Sequence, residues 1–170
     1  MKEKFVKYFM DVAERTAQLS YATRLKVGTV IVKNNRIISC GYNGMPAGWL
    51  PNDCEYPVYI NENEFSEISP IDKTRYKYDS KSKCYKGLKT YDEVIHSEAN
   101  AVSQLARSTE SGIGATIICT HSPCLQCAKI IYSSGIETVY YKNEYRSNDG
   151  IEFLRKCGVN IIKIEEKNDN

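Results

Sequence analysis

The sequence predicts an α/β fold: a five-stranded mixed sheet in a three-layer sandwich, with helices on both faces. Three observations carry that prediction. The regular segments run in the order α-β-β-α-β-α-β-α-β, the strand candidates are short β-branched or aromatic runs, and the segments between them carry apolar residues at helical spacing. A chain of 170 residues fits one domain, 1–170, with a real core, interrupted by an irregular insertion at about 45–92.

The elements follow in order. Phe5, Phe9, Val12, Ala13 and Thr16 recur at helical spacing, so residues 3 to about 19 form an amphipathic helix. "VGTVIV", the polar turn "KNNR" and "IISCGY" then make a hairpin, with strands at about 27–32 and 36–42. The stretch 45–92 holds four of the five prolines, many tyrosines and no sustained period. It is expected as turns and short helical pieces, with too many aromatics for a disordered linker. Regular structure resumes with a helix from about 96 to 108, the strand "ATIICT", a helix from "HSPC" through about Ser134, and the strand "ETVYYK". A short helix "GIEFLRKCG", ending at Gly158, and a last strand "VNIIKIE" complete the order.

Composition excludes several function classes. A net charge of +2, with both signs mixed along the chain, gives no basis for nucleic-acid binding. No run approaches the roughly 18–20 apolar residues of a membrane span. "MKEKFVKYFMDVAERT" lacks the uninterrupted apolar core of a signal peptide. Seven cysteines, an odd number without a paired framework, point to a reducing cytoplasm, the host's if the gene is viral. There, cysteine pairs bind metal or act in redox chemistry more often than they staple a fold.

Two stretches carry the chemistry. In "SPCLQCAKII", Cys124 and Cys127 sit three apart at a predicted helix start, where the helix end favours thiolate. Alone they are equally a zinc corner, a redox pair or core filler. "VIHSEANAV" supplies His96, one of only two histidines, and Glu98 two residues later. Zinc takes thiolate and imidazole ligands in a tetrahedron, and a catalytic zinc keeps one position for water. His96, Cys124 and Cys127 make three ligands, and Glu98 is placed to take a proton from that water without being a ligand. His-x-Glu, then 24 residues holding a helix and a strand, then Pro-Cys-x-x-Cys is the signature of zinc nucleobase deaminases.

On these motifs the sequence resembles the cytidine and deoxycytidylate deaminase superfamily, and within it the deoxycytidylate (dCMP) branch. "GYNGMPAG" after the hairpin is similar to that branch's glycine-rich loop, the insertion before the zinc histidine is another of its features, and "SGIETVYYKNEY" matches its pattern of strand then tyrosine. The resemblance spans roughly residues 5–164. It implies a cytidine-deaminase-like sandwich and hydrolysis of dCMP to dUMP and ammonia on one Zn²⁺ held by His96, Cys124 and Cys127. Glu98 would move the protons.

Further residues come only through that resemblance. Ser97 stands where alanine is usual, with its backbone still able to meet the pyrimidine. Asn43 is similar to the asparagine that reads the deoxyribose hydroxyl, though it is also an ordinary turn residue. Phosphate selectivity needs cations or hydroxyls, for which Arg24, Lys26, Ser122 and Tyr145 are the candidates, each equally a solvated or packed polar group. The branch is commonly hexameric, activated by dCTP and inhibited by dTTP, with Mg²⁺ accompanying the triphosphate. Backbone amides around Gly44, Ala47 and Gly48 suit phosphates, and Arg107 falls at a position tied to regulation, expected beside that loop. His121 is expected to be structural. Some phage relatives carry a second zinc in the insertion. Here Cys54 and Cys84 lack evident co-ligands, so one zinc per chain is expected. Deaminases of nucleoside cytidine, guanine or tRNA adenosine are the nearest alternatives, and a non-catalytic zinc module is the alternative from another class. Such a module has no use for Glu98.

Overall fold

The computed structural model describes residues 1–165; 166–170, the end of the expected domain, lie outside the described residues. Helix α1 (Glu3–Ala17) buries Val6, Phe9, Met10 and Ala13, the stripe that three- and four-residue steps put on one face. Strands β1 (Gly28–Lys33) and β2 (Arg36–Tyr42) form the hairpin. Asn34 and Asn35 turn it with φ of 51° and 57°, the left-handed pair that a two-residue hairpin loop requires and asparagine tolerates. In β1, Val30 and Val32 face α1, while Ile31 faces the opposite core.

The stretch 45–92 departs from expectation. Besides short helices α2 (Glu62–Glu67) and α3 (Pro70–Lys73), it forms β3 (Glu55–Ile60), β4 (Lys77–Asp79) and β5 (Cys84–Thr90), a second antiparallel sheet in the order β3-β5-β4. Its strands bury almost nothing apolar. Aromatic contacts hold it instead: Phe65 stacks on Tyr85 with ring centroids 3.7 Å apart, and Tyr78 meets Tyr85 edge-on at 5.2 Å. Its base joins the rest of the chain through buried Cys54 and Val94 packed with Ala22.

Helix α4 (Ser97–Leu105), β6 (Thr116–His121), α5 (Leu125–Ser133), β7 (Thr138–Asn143), α6 (Asp149–Lys156) and β8 (Asn160–Lys163) complete the main sheet, in the order β2-β1-β6-β7-β8. Pairing is antiparallel for β1 with β2 and β6, and parallel for β6-β7-β8, so the sheet is mixed as predicted. Two successive crossovers in one direction put α5 and α6 on the same face. They share it with α4, over Ile31, Ile117 and Val139, and Leu154 of α6 is buried in the same cluster. Helix α1 covers the other face, over Val30, Val32, Ile118 and Tyr140.

This topology brings several chain ends together. Because β1 runs against β2 and β6, the entry to β1 lies beside the exits of both: Gly28 pairs with Tyr42 and its N–H donates to Thr120 Oγ1 at 3.2 Å. The exit of β7 joins them, where the Ser122 N–H donates to the Asn143 carbonyl at 2.8 Å. Ligand sites of open α/β sheets lie at such carboxyl ends.

Candidate active site

Two helix starts meet at this end of the sheet. His96 is the N-cap of α4 and Cys124 the N-cap of α5, both with extended backbone, and Cys127 lies in the first turn of α5. Two glycines allow the close approach. A Cβ on Gly41 would sit 2.4 Å from the Ser97 carbonyl oxygen, so α4 lies directly on β2; one on Gly150 would sit 2.1 Å from the Pro123 oxygen, so α6 braces the turn carrying Cys124.

His96 Nδ1 lies 3.5 Å from Cys124 Sγ and 3.4 Å from Cys127 Sγ. A tetrahedral zinc with bonds of about 2.3 Å to sulfur and about 2.0–2.1 Å to nitrogen sets such atoms about 3.5–3.6 Å apart. Both nitrogen–sulfur distances are therefore those of a zinc-bound pair, the three ligand atoms lie within 4.8 Å of one another, and their donor set, one imidazole and two sulfurs, suits that ion. Their proton affinities agree. The Cys124 thiol is held down to about 3, first by the hydrogen bond that Cys127 donates and further by His96. Cys127, as the donor, is pushed up. His96 is raised by its hydrogen bond with Cys124, against burial. This trio holds protons that a dication displaces.

Glu98, in the first turn of α4, is 4% exposed. Burial pushes its carboxyl above the usual range, opposed by its own backbone N–H, the Ser97 hydroxyl and His96. Ser97 Oγ donates to Glu98 Oε2 at 2.9 Å and lies 2.8 Å from Thr29 Oγ1, so β1 steadies the acid through a buried hydroxyl pair. A carboxyl with raised proton affinity beside a metal centre suits proton transfer near neutral pH.

These groups open into a cavity of about 840 Å³, within the size range of small-molecule sites. Of the sequence-predicted residues, Arg24, Asn43, Ser97, Ser122 and Tyr145 line it along with His96, Glu98 and Cys124. Lys26 does not: the chain bends at Thr23–Arg24, and Lys26 is exposed outside the lining. The Asn43 side chain accepts from the Val27 N–H at 2.8 Å and donates to the Leu25 carbonyl at 2.9 Å, which pins the entry to β1. It keeps one amide N–H for a ligand. Ser122 Oγ accepts from the Tyr145 N–H at 2.8 Å, fixing the loop after β7. His121 ends β6, burial lowers its proton affinity, and it lines the cavity.

The loop after β2 differs from expectation in two respects. The Gly44 N–H donates to the Ile95 carbonyl at 3.1 Å, and Ile95 donates back at 2.9 Å, so that amide is committed to a backbone bridge. Ala47 and Gly48 are exposed. Arg107 is not beside this loop within one chain: the bridge lies just before α4 and Arg107 just after it, about 15 Å along the axis at helical rise. Cys54 is a buried thiol, its proton affinity raised by burial.

Several lining residues carry no signal in the sequence. Glu55 accepts from the Thr23 N–H and hydroxyl at 3.0 and 3.1 Å and from the Arg24 N–H at 3.3 Å, which clamps the segment bearing Arg24. Arg75, Lys77, Lys86 and Arg146 also line the cavity. A lone acid and scattered cations carry no sequence signature; only tertiary placement assembles them.

Comparison with known proteins agrees with this geometry. Residues 3–143 match the family model for the cytidine and deoxycytidylate deaminase zinc-binding region. The chain is 33% identical to the deoxycytidylate deaminase of Enterobacteria phage T4 over 95% of its length and 90% of that protein. It is 31% identical to human deoxycytidylate deaminase, over 95% and 86% respectively. The dCMP deaminase of cyanophage S-TIM5, solved with dCMP and dUMP, superposes with a TM-score of 0.75 at 35% identity, covering 96% of this chain and 99% of that one. Among the described residues, no helix is long and apolar enough to cross a membrane. With its matching fold and His/Cys/Cys cluster, the chain belongs to the cytidine and deoxycytidylate deaminase family and is a hydrolase of the deaminase class.

Proposed function

We propose that this protein hydrolyses dCMP to dUMP and ammonia. The observation that carries the proposal is the cluster of His96, Cys124 and Cys127 with buried Glu98 beside it, at the floor of a cavity lined by cations. His96, Cys124 and Cys127 hold the zinc, which when bound supplies a Lewis acid that makes water nucleophilic near neutral pH.

The chain's own residues do the rest. Glu98, ionised, takes a proton from the attacking water. It gives that proton to the ring nitrogen beside the reacting carbon, then passes one to the departing amine. Ser97 and Thr29 keep the carboxylate oriented while it trades protons. Asn43 offers its remaining amide N–H to the deoxyribose hydroxyl, and Arg24, Ser122 and Tyr145 border the sugar and phosphate. The dCMP and dUMP bound in the S-TIM5 relative support this choice of ligand.

The test compares zinc-loaded protein on dCMP, deoxycytidine, cytidine, dCTP and guanine by ultraviolet absorbance. dCMP is preferred over deoxycytidine by about 100-fold or more in kcat/KM, the scale of charge-assisted phosphate contacts. Equal rates on nucleoside and monophosphate move the assignment to nucleoside deamination, and turnover of guanine alone rejects it.

Regulation belongs to the same proposal. The exposed Ala47–Gly48 turn adjoins the strand exit that carries Asn43, so a triphosphate there, with Mg²⁺, shifts substrate affinity. dCTP is the activator and dTTP the inhibitor, in a homo-oligomer, a hexamer in the related branch. Arg107 joins such a site only from another copy. dCMP saturation curves with each triphosphate test it: coupling of this kind shifts the midpoint about 5- to 150-fold, and unchanged curves reject regulation.

A further inference from the structure

The insertion hangs from the body at one place. The chain enters it at Cys54 and leaves it at Tyr91, whose N–H donates to the Cys54 carbonyl at 3.0 Å. Glu55 and Thr90, the next residues inward, are partners in the β3–β5 register. Both are tied to one short segment: the Glu55 carboxylate accepts from Thr23 and Arg24, and Arg24 Nη1 donates to Thr90 Oγ1 at 2.8 Å. The small apolar cluster of Ala22, Cys54 and Val94 completes this base.

Beyond the base, the elements of the insertion pack on one another, β5 against β3, β4 and α2. Phe65 of α2 stacks on Tyr85 and meets Tyr76 edge-on, and Lys73 Nζ donates to the Ser66 carbonyl at 3.1 Å. The Tyr76 ring fills the space over Gly87, where a Cβ would meet ring atoms at 2.7 Å. Of the described residues in β3, β4, β5 and α2, Gly87 alone is buried. A unit joined within itself, with so few buried apolar contacts to lose, belongs to the low end of local opening energies and moves as one piece.

One face of that piece lines the cavity. Lys77 and Lys86 are register partners and leave the same face, as does Leu88 two residues on, and all three are in the lining. His96, Glu98, Ser122 and Cys124 line it from the body. A rotation at the base therefore changes the gap between the insertion and the metal centre.

We propose that residues 55–90 form a lid that swings about the Glu55–Arg24–Thr90 base and closes over the bound nucleotide. In the closed position one ligand touches the insertion and the body together, and a ligand shifts such an equilibrium by what it gains in one position over the other. Closure shields the nucleotide from bulk water during the reaction. The nucleotide as closing ligand rests on the reading proposed above; the hinge does not.

The chain's own cysteines report the motion. Cys84 and Thr90 are the two ends of β5. Cys84 thus lies roughly 20 Å from the base at about 3.3 Å per residue, and a rotation of about 15° moves it by about 5 Å. Cys40 and Cys157 belong to the body and are accessible to a label, whereas Cys54 and Cys119 are buried. Zinc-loaded C157S, spin-labelled at Cys40 and Cys84, is measured by double electron–electron resonance with and without dUMP, in excess unlabelled protein so that pairs within one chain are read. C84S, labelled at Cys40 and Cys157, is the control. Bound dUMP shifts the Cys40–Cys84 distance by about 5 Å and narrows its spread, and leaves Cys40–Cys157 unchanged. An unchanged Cys40–Cys84 distance, or an equal shift in both pairs, overturns the lid. If calorimetry shows that dUMP does not bind, the nucleotide reading fails instead, and the unliganded protein decides: a Cys40–Cys84 spread wider than that of the control pair supports the hinge, and an equal spread overturns it.

Discussion

Glu98 is a carboxyl with almost no water around it, and burial is the largest influence on its proton affinity. That has a consequence for stability as well as for catalysis. A carboxyl whose folded proton affinity exceeds its unfolded value stabilises the fold fully below the unfolded pKa, about 4.3. The contribution is lost as pH rises through the folded pKa. In metal-free protein at pH 7, the buried acid is therefore a cost that an amide does not carry. Metal-free Glu98→Gln melts higher than the native protein at pH 7 and loses that advantage as pH falls toward 4; melting curves across pH 4–8 read both. An equal or lower Tm at pH 7 contradicts the burial argument. His96, Glu98, Cys124 and Cys127 were legible in the sequence because their spacing is local to two helix starts. Lys77, Lys86 and Glu55 were not, because facing the cavity is a property of the tertiary placement of the insertion.

Elements hold these residues in register. Helix α6 has no ligand of its own, yet its Gly150 packs on the Pro123–Cys124 turn with no room for a methyl group. Gly150→Ala forces α6 or the ligand turn to move, which typically costs about 1–3 kcal/mol. Stability and zinc affinity fall together, as read by a denaturant melt and a competitive chelator titration. A loss of stability with unchanged zinc affinity separates α6 from the site. The hairpin, the α/β repeat and the boundaries of α4, α5 and α6 were readable to within a few residues, since β-branched runs and helix caps are local signals. The sheet β3-β5-β4 was not. Pro57, Gly87 and the lysines of β5 erase the alternation that marks a strand, and the sheet is held by stacked rings rather than by a buried face.

At the scale of the whole molecule, fold and metal are coupled. The sheet ends converge only as the chain folds, so a dication bound by His96, Cys124 and Cys127 stabilises the native state. Cys124→Ala loses metal and stability together, and a chelator lowers the native Tm toward the variant's. The most direct measurement is a zinc titration of metal-free protein followed by dCMP turnover. Activity rises linearly and breaks at one zinc per chain, while Glu98→Gln binds zinc equally and turns over at least ~10²–10⁴-fold more slowly. Turnover without zinc, a break at any other ratio, or a Glu98→Gln protein as active as the native one contradicts the account.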